Sequence, residues 1–359
     1  MKSILLASTA LVAFSGAAWA EAHSGVSFGG SATLGYNDDA DLGGTGDGFY
    51  WDANVAVTMS AMLDNGLEVS ATFDFDVADN NLGQDLVSGG YVLSISSDIA
   101  SLSVGDLDPV AEDRWGGVDG ATVADFNDQD VHFDVAGFDA MLVGEVTAAG
   151  FTAAVSYGVE GGGDIDAMQI HVAGTFGSFG VEMAYQEEFL GTPEILGVGA
   201  SASFAGADIN VSYIDDGTET STGIGVSYPV GPVVIGGYYS MNDVAEDNYG
   251  VSADYVSGPI AVSAAYDIDG GEAGADDVSS WELDASYDVG NGLTVLAGAF
   301  GSDAADDEVG FYAATTYDLG GGAELLFSYA TDGEDDVRGE DLGGPEYKEG
   351  ITIEASFSF

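Results

Sequence analysis

Apolar and polar residues alternate through most of this chain. Over Leu67–Val77, Leu67, Val69, Ala71, Phe73, Phe75 and Val77 fall on one face, and Glu68, Ser70, Thr72, Asp74 and Asp76 on the other. A period of two predicts a strand with one apolar and one polar side. Trp51–Leu63 repeats it, with Asp52, Asn54, Thr58 and Ser60 opposing the apolar set, as does Trp281–Val289, with Glu282, Asp284, Ser286 and Asp288. Shorter copies place Glu182 opposite Val181 and Met183, and Asp208 opposite Ile209 and Val211.

Two kinds of connection separate the strands. Tight ones, such as Asp64-Asn65-Gly66, Gly177-Ser178, Ala205-Gly206-Ala207 and Gly290-Asn291-Gly292, predict hairpin turns. Longer acidic ones, including 37–48, 79–88, 106–130, 187–194, 268–278 and 331–346, alternate with them along the chain. Short turns at one end and long loops at the other are the layout of an outer-membrane barrel. Tyrosines stand at strand ends beside the long loops (Tyr36, Tyr157, Tyr185, Tyr213, Tyr266, Tyr329) and beside the tight turns (Tyr228, Tyr255, Tyr287, Tyr317). Two such belts predict two membrane interfaces.

The last strand is the most specific element. Ile351, Ile353, Ala355, Phe357 and Phe359 make one apolar face, and the chain stops at full strand amplitude on an aromatic residue. A closed barrel needs such a strand to pair with its first. At the other end, Lys2, an apolar run from Ile4 to Ala18 and Ala18-Trp19-Ala20 read as a secretory signal peptide over 1–20. The remaining 21–359 reads as a single barrel domain.

Composition narrows the choice. The 359 residues include 62 Asp and Glu against 4 Lys and Arg, a formal charge of -58, yet 46% are hydrophobic, which excludes disorder for most of the length. Such a polyanion cannot neutralise phosphates, so nucleic acid is excluded as a partner. The absence of cysteine excludes a disulfide scaffold or zinc-thiolate site.

The signal peptide, the alternating hairpins and the terminal Phe357-Ser358-Phe359 resemble the general bacterial porins, with the alphaproteobacterial branch nearest. The resemblance spans the chain and implies a transmembrane antiparallel β-barrel with short periplasmic turns and external loops, the third folded into the pore. The third long loop here, 106–130, is also the longest, and Arg114-Trp115-Gly116-Gly117 resembles the Gly-Gly segment of the family's constriction loop. The resemblance further implies a homotrimer passing small hydrophilic solutes, set in lipid and lipopolysaccharide. It implies that the barrel-assembly machinery reads the last strand through Ile351, Ile353, Phe357 and Phe359. Nine tight turns and the closing pair suggest about twenty strands where the family norm is sixteen, so an even number from sixteen to twenty is expected. The family's wall cluster of arginines cannot be built, since Arg114 and Arg338 lie in long loops and Lys348 near the last strand.

Strand acids alternate away from the apolar face and are expected on the pore wall: Asp52, Glu68, Asp74, Asp76, Glu182, Asp208, Glu282, Asp284, Glu324 and Glu354. The constriction loop adds Asp106, Asp108, Glu112, Asp113, Asp119, Asp125, Asp128 and Asp130, with Arg114 among them. A lumen of one sign concentrates the opposite ion, so cation selectivity is expected. The loop acids also suit a saline habitat, where repulsion is screened.

No cofactor is expected. Acidic pairs such as Asp38-Asp39, Asp215-Asp216, Asp276-Asp277 and Asp306-Asp307, with Glu334-Asp335-Asp336, offer oxygens that suit Ca²⁺ or Mg²⁺, but none has the spacing of a dedicated metal site. Loose bridging to lipid phosphates is the most they imply. Two rival readings stand beside the channel. An outer-membrane hydrolase could use His132 and Asp134, which would share a face on a strand. A secreted calcium-binding β-structure would need an array of Gly-rich nonapeptides, of which Gly43-Gly44-Thr45-Gly46-Asp47 is one approximate copy.

Overall fold

The computed structural model describes residues 24–38, 48–79, 87–118, 131–134, 137–160, 163–189, 191–244, 246–270, 277–303, 309–331 and 347–359. The leader 1–20, the loop acids Asp119, Asp125, Asp128 and Asp130, and Arg338 lie outside them, as do several acidic pairs in whole or part.

The described residues form twenty strands in one sheet. They are β1 (Ser24–Asn37), β2 (Gly48–Met62), β3 (Glu68–Asp79), β4 (Val87–Ser96), β5 (Ala100–Gly105), β6 (Ala140–Ala148) and β7 (Phe151–Val159). Next come β8 (Ile165–Phe176), β9 (Phe179–Gln186), β10 (Ile195–Phe204), β11 (Ala207–Asp215), β12 (Thr220–Val230), β13 (Val233–Asn242) and β14 (Asn248–Ser257). The rest are β15 (Ile260–Asp269), β16 (Val278–Gly290), β17 (Leu293–Ser302), β18 (Val309–Gly320), β19 (Ala323–Ala330) and β20 (Gly350–Ser358). A short helix, α1 (Val110–Arg114), follows β5.

Each strand pairs antiparallel with its neighbours in sequence, and β1 pairs with β20 from Ser31↔Ser358 to Asn37↔Thr352. Gly30 and Phe359 exchange both backbone hydrogen bonds at 3.0 Å, so the final residue takes part in the seam. The sheet thus closes on itself through β1 and β20, as a strand structure in lipid requires. The twenty strands fall at the upper end of the sixteen to twenty expected.

Tight turns join alternate pairs. Ala149-Gly150, Ala205-Gly206 and Asn291-Gly292 each have two successive positive φ angles, from 54° to 89°, the turn that matches strand twist.

The two faces of the sheet separate by chemistry. Leu34, Trp51, Met59, Leu93, Val198, Val211, Leu283, Ile353 and Phe357 are exposed on the outer face. A lipid-facing surface is expected to expose such residues. The ten girdle tyrosines occupy outward register positions, and Tyr36 packs edge-on against Phe49 at 5.1 Å. Other aromatics take the inner face: Tyr50, Tyr238, Phe300 and Tyr312 are buried there. The densest inner packing lies between the barrel wall and the segment that follows β5.

Candidate pore constriction

β5 ends at Gly105, whose φ of +144° and close approach to the Tyr91 carbonyl leave no room for a Cβ. Asp106 N donates to Tyr91 O at 2.8 Å, and the chain leaves the sheet. It then runs across the inner wall. Ala111, Val131 and Phe133 from the loop form one buried cluster with Ala184 of β9, Ile195 of β10 and Ile214 of β11. Trp115 packs on this cluster and meets Phe133 edge-on at 5.8 Å. Farther round, Val118 is buried with Tyr238 of β13.

Several inward positions of the wall carry little or no side chain, which lets the loop lie close. A Cβ on Gly197 would come within 2.8 Å of the Trp115 ring, and one on Gly223 would collide with Val118. Ala154, Ala184, Ser212, Ser221 and Ser240, on the same face, are buried.

The loop extends beyond the expected 106–130. Val131–Asp134 returns along the wall, and β6 starts only at Ala140. His132 and Asp134 are therefore not on a strand, which corrects the sequence reading. Their alternation survives: Val131 and Phe133 are buried, His132 and Asp134 reach water. His132 touches solvent but is enclosed by surrounding chain, and this enclosure lowers its pKa below the ordinary 6.5.

All ten strand acids of the sequence reading occupy inward register positions. Asp52, Glu68, Asp74 and Asp208 are exposed there; Asp76, Glu182, Asp284, Glu324 and Glu354 are half-buried; Glu282 is buried. Tyr50 Oη donates to Glu354 Oε2 at 2.6 Å, Ser203 Oγ to Asp208 Oδ1 at 2.5 Å, and Tyr312 Oη to Asp284. Among the loop acids, Asp106, Asp108, Glu112 and Asp113 are exposed, and Asp106 lies over Gly90 of β4.

Arg114 and Lys348 are the described lysine and arginine residues. Arg114 Nη1 donates to Glu145 Oε2 of β6 at 2.7 Å, with Asp113 at 3.5 Å from Nε. Lys348 Nζ stands 4.8 Å from the centre of the Tyr50 ring. His171 Nε2 lies 3.7 Å from Glu182 Oε2 on the wall under the loop. Sequence reasoning missed Glu145, Asp254 and Asp267 on the inner face, though the same period-two count, applied to β6, β14 and β15, finds them. It also missed Gln169 and Gln186, which are fully buried. Among the described residues, no group of three or more His, Asp or Glu side chains gathers as a metal site.

The description of the Gram-negative porin family matches residues 7–248 and 234–337. The chain belongs to this family. As a porin it is an outer-membrane channel, and its barrel, inward loop and apolar outer belt have the form that role needs. Solved structures similar to this porin include three mutants of Rhodopseudomonas blastica porin, each 14% identical. They cover 93% of this chain and 100% of theirs, with TM-scores of 0.45, 0.46 and 0.44. No curated protein matches the porin in sequence.

Proposed function

We propose that the porin is a passive diffusion channel for small hydrophilic solutes and that it favours cations. The observation that carries this is the sign of the inner face. The ten strand carboxylates read from the sequence point inward together with Glu145, Asp254 and Asp267, while the two described cations are each held by a neighbour, Arg114 by Glu145 and Lys348 by the Tyr50 ring. A water-filled passage walled by low-dielectric protein and lined by one charge raises the local concentration of the opposite ion. The two described arms of the loop, 106–118 and 131–134, form the constriction in this reading, and Asp106, Asp108, Glu112 and Asp113 add negative charge along the first.

The same proposal includes removal of residues 1–20 on export and assembly as a homotrimer. The barrel-assembly machinery would read the C-terminal strand, whose Ile351, Ile353, Phe357 and Phe359 face outward. Acidic loops bind divalent ions only loosely in this view.

The test is single-channel recording of refolded protein in a planar bilayer under a KCl gradient. Discrete steps with a reversal potential of cation-selective sign are expected. Steps with a reversal potential at zero, or of anion-selective sign, would remove cation preference. No conductance from heat-modifiable, folded protein would remove the diffusion reading.

A further inference from the structure

Helix α1 starts without a cap of its own, because Pro109 precedes it and no side chain of the loop bonds its first turn. The first N–H groups of a helix need acceptors. Here the barrel wall supplies them. Val110 N donates to Ser156 Oγ at 3.1 Å. Ala111 N and Glu112 N both donate to Gln169 Oε1, at 2.7 and 3.2 Å.

Gln169 uses its other end as well. Its Nε2 donates to Gln186 Oε1 at 2.8 Å. That same oxygen accepts Asp134 N, from the returning arm of the loop, at 3.1 Å. Gln186 Nε2 reaches Pro193 O at 3.4 Å. Ser156, Gln169 and Gln186 are each 0% exposed. The outgoing and returning arms thus end on one pair of bonded amides, on adjacent strands β8 and β9.

Apolar contacts hold the loop to the wall without direction; hydrogen bonds to buried amides fix its place. We propose that Gln169 and Gln186 are a latch: positioning residues that hold both arms of the loop as one body and so set the width and steadiness of the lumen. The proposal rests on the reading of this loop as the pore constriction. Breaking the pair strands backbone N–H groups on both arms. The population of released loop then rises by roughly tenfold for each buried hydrogen bond lost.

The test uses full-length refolded protein carrying Gln169→Leu, Gln186→Leu or Gln169→Glu. The last variant separates latching from general stability. A protonated carboxyl offers one acceptor and one O–H donor, as the amide does; ionised, it loses the donor and faces Gln186 Oε1. Burial favours the protonated form, so the bond to Gln186 is expected kept at about pH 6 and lost at about pH 10. Each variant is compared with wild type at the same pH, after heat-modifiable gel mobility has established folding.

Two readouts are taken: single-channel conductance with its open-state noise, and Trp115 emission in a Trp19→Phe, Trp51→Phe, Trp281→Phe background. Expected are altered conductance, added noise and red-shifted Trp115 emission in both Leu variants at either pH. Gln169→Glu should match wild type at about pH 6 and depart from it at about pH 10, by less than Gln169→Leu because the carboxylate still accepts the two N–H groups of α1. Folded variants with wild-type conductance and emission at both pH values would overturn the latch. A red shift in protein that conducts no ions would keep the latch and overturn the channel reading instead.

Discussion

Strands β2–β4 and strands β7–β12 present inner faces built on the same alternation, but with different residues. The first arc stands open: Asp52, Asn54, Glu68 and Asp74 are exposed to the lumen. The second lies under the loop, and its inward positions hold Ser156, Gln169, Ala184, Ile195, Gly197, Ile214 and Gly223. The reason is dielectric. A carboxylate in a water-filled lumen keeps its hydration, whereas one under packed chain loses it and needs a partner. Two inward carboxylates stand on this arc: Asp208, beside the tight turn that precedes β11, is exposed, and Glu182 is half-buried with His171 Nε2 3.7 Å away. An inner face rich in Gly, Ala and Ser therefore marks where chain is docked, and an inner face rich in carboxylates marks where water runs.

The contrast is broken most directly by placing the same charge on each arc. Ala184→Asp puts a carboxylate at a position 0% exposed and is expected to destabilise the protein. An uncompensated buried charge costs about 3–5 kcal/mol. Ser60→Asp, on the open arc, is expected to stay within about 0.5 kcal/mol, the usual range for a solvated site. Denaturant unfolding in detergent, followed by tryptophan emission, measures both. Equal losses would mean that the two arcs do not differ in hydration.

Removing charge sharpens the same contrast through conduction. Joint replacement of Asp52, Asp74 and Asp106 by Asn is expected to lower the cation-to-anion permeability ratio by roughly a factor of two or more. Glu182→Gln, beside His171 on the covered arc, should change it far less. The reversal potential in a salt gradient reports each, and a larger effect from Glu182 would reverse the assignment of the arcs.

The smallest expected effect is a pH dependence on the covered side. Enclosure lowers the His132 pKa in the folded protein, while the unfolded chain takes up its proton near 6.5. As pH falls below 6.5 the unfolded state binds more protons, so stability drops through the window between the two values. His132→Asn should remove that part of the acid sensitivity and leave stability above about pH 7 unchanged. Parallel unfolding curves for wild type and variant across the acid range would contradict it.

Much of the barrel could be read along the chain, because a strand's period is local. Leu67–Val77 states its two faces without reference to any other segment, and the structure places β3 at Glu68–Asp79. The terminal run from Ile351 to Phe359 states that it needs a partner, and the partner is β1. The girdle tyrosines likewise follow from where strands meet connections. The aromatic residues that turn inward were less legible. Tyr50 stands one residue from outward-facing Phe49 and Trp51, and only the register with β1 places its ring over Gly35.

The sequence by itself determined the amphipathic alternation, the alternation of tight turns with long connections, the closing strand and the excess of negative charge, and bounded the strand number between sixteen and twenty. Each depends on neighbours one or two residues apart, or on a count. The tertiary structure decided what covers the inner face. Ala111 meets Gln169 across 58 residues, and Asp134 meets Gln186 across 52. Alternation announces that a side chain points inward, but only closure of the sheet determines whether it meets water, a glutamine amide or the ring of Trp115.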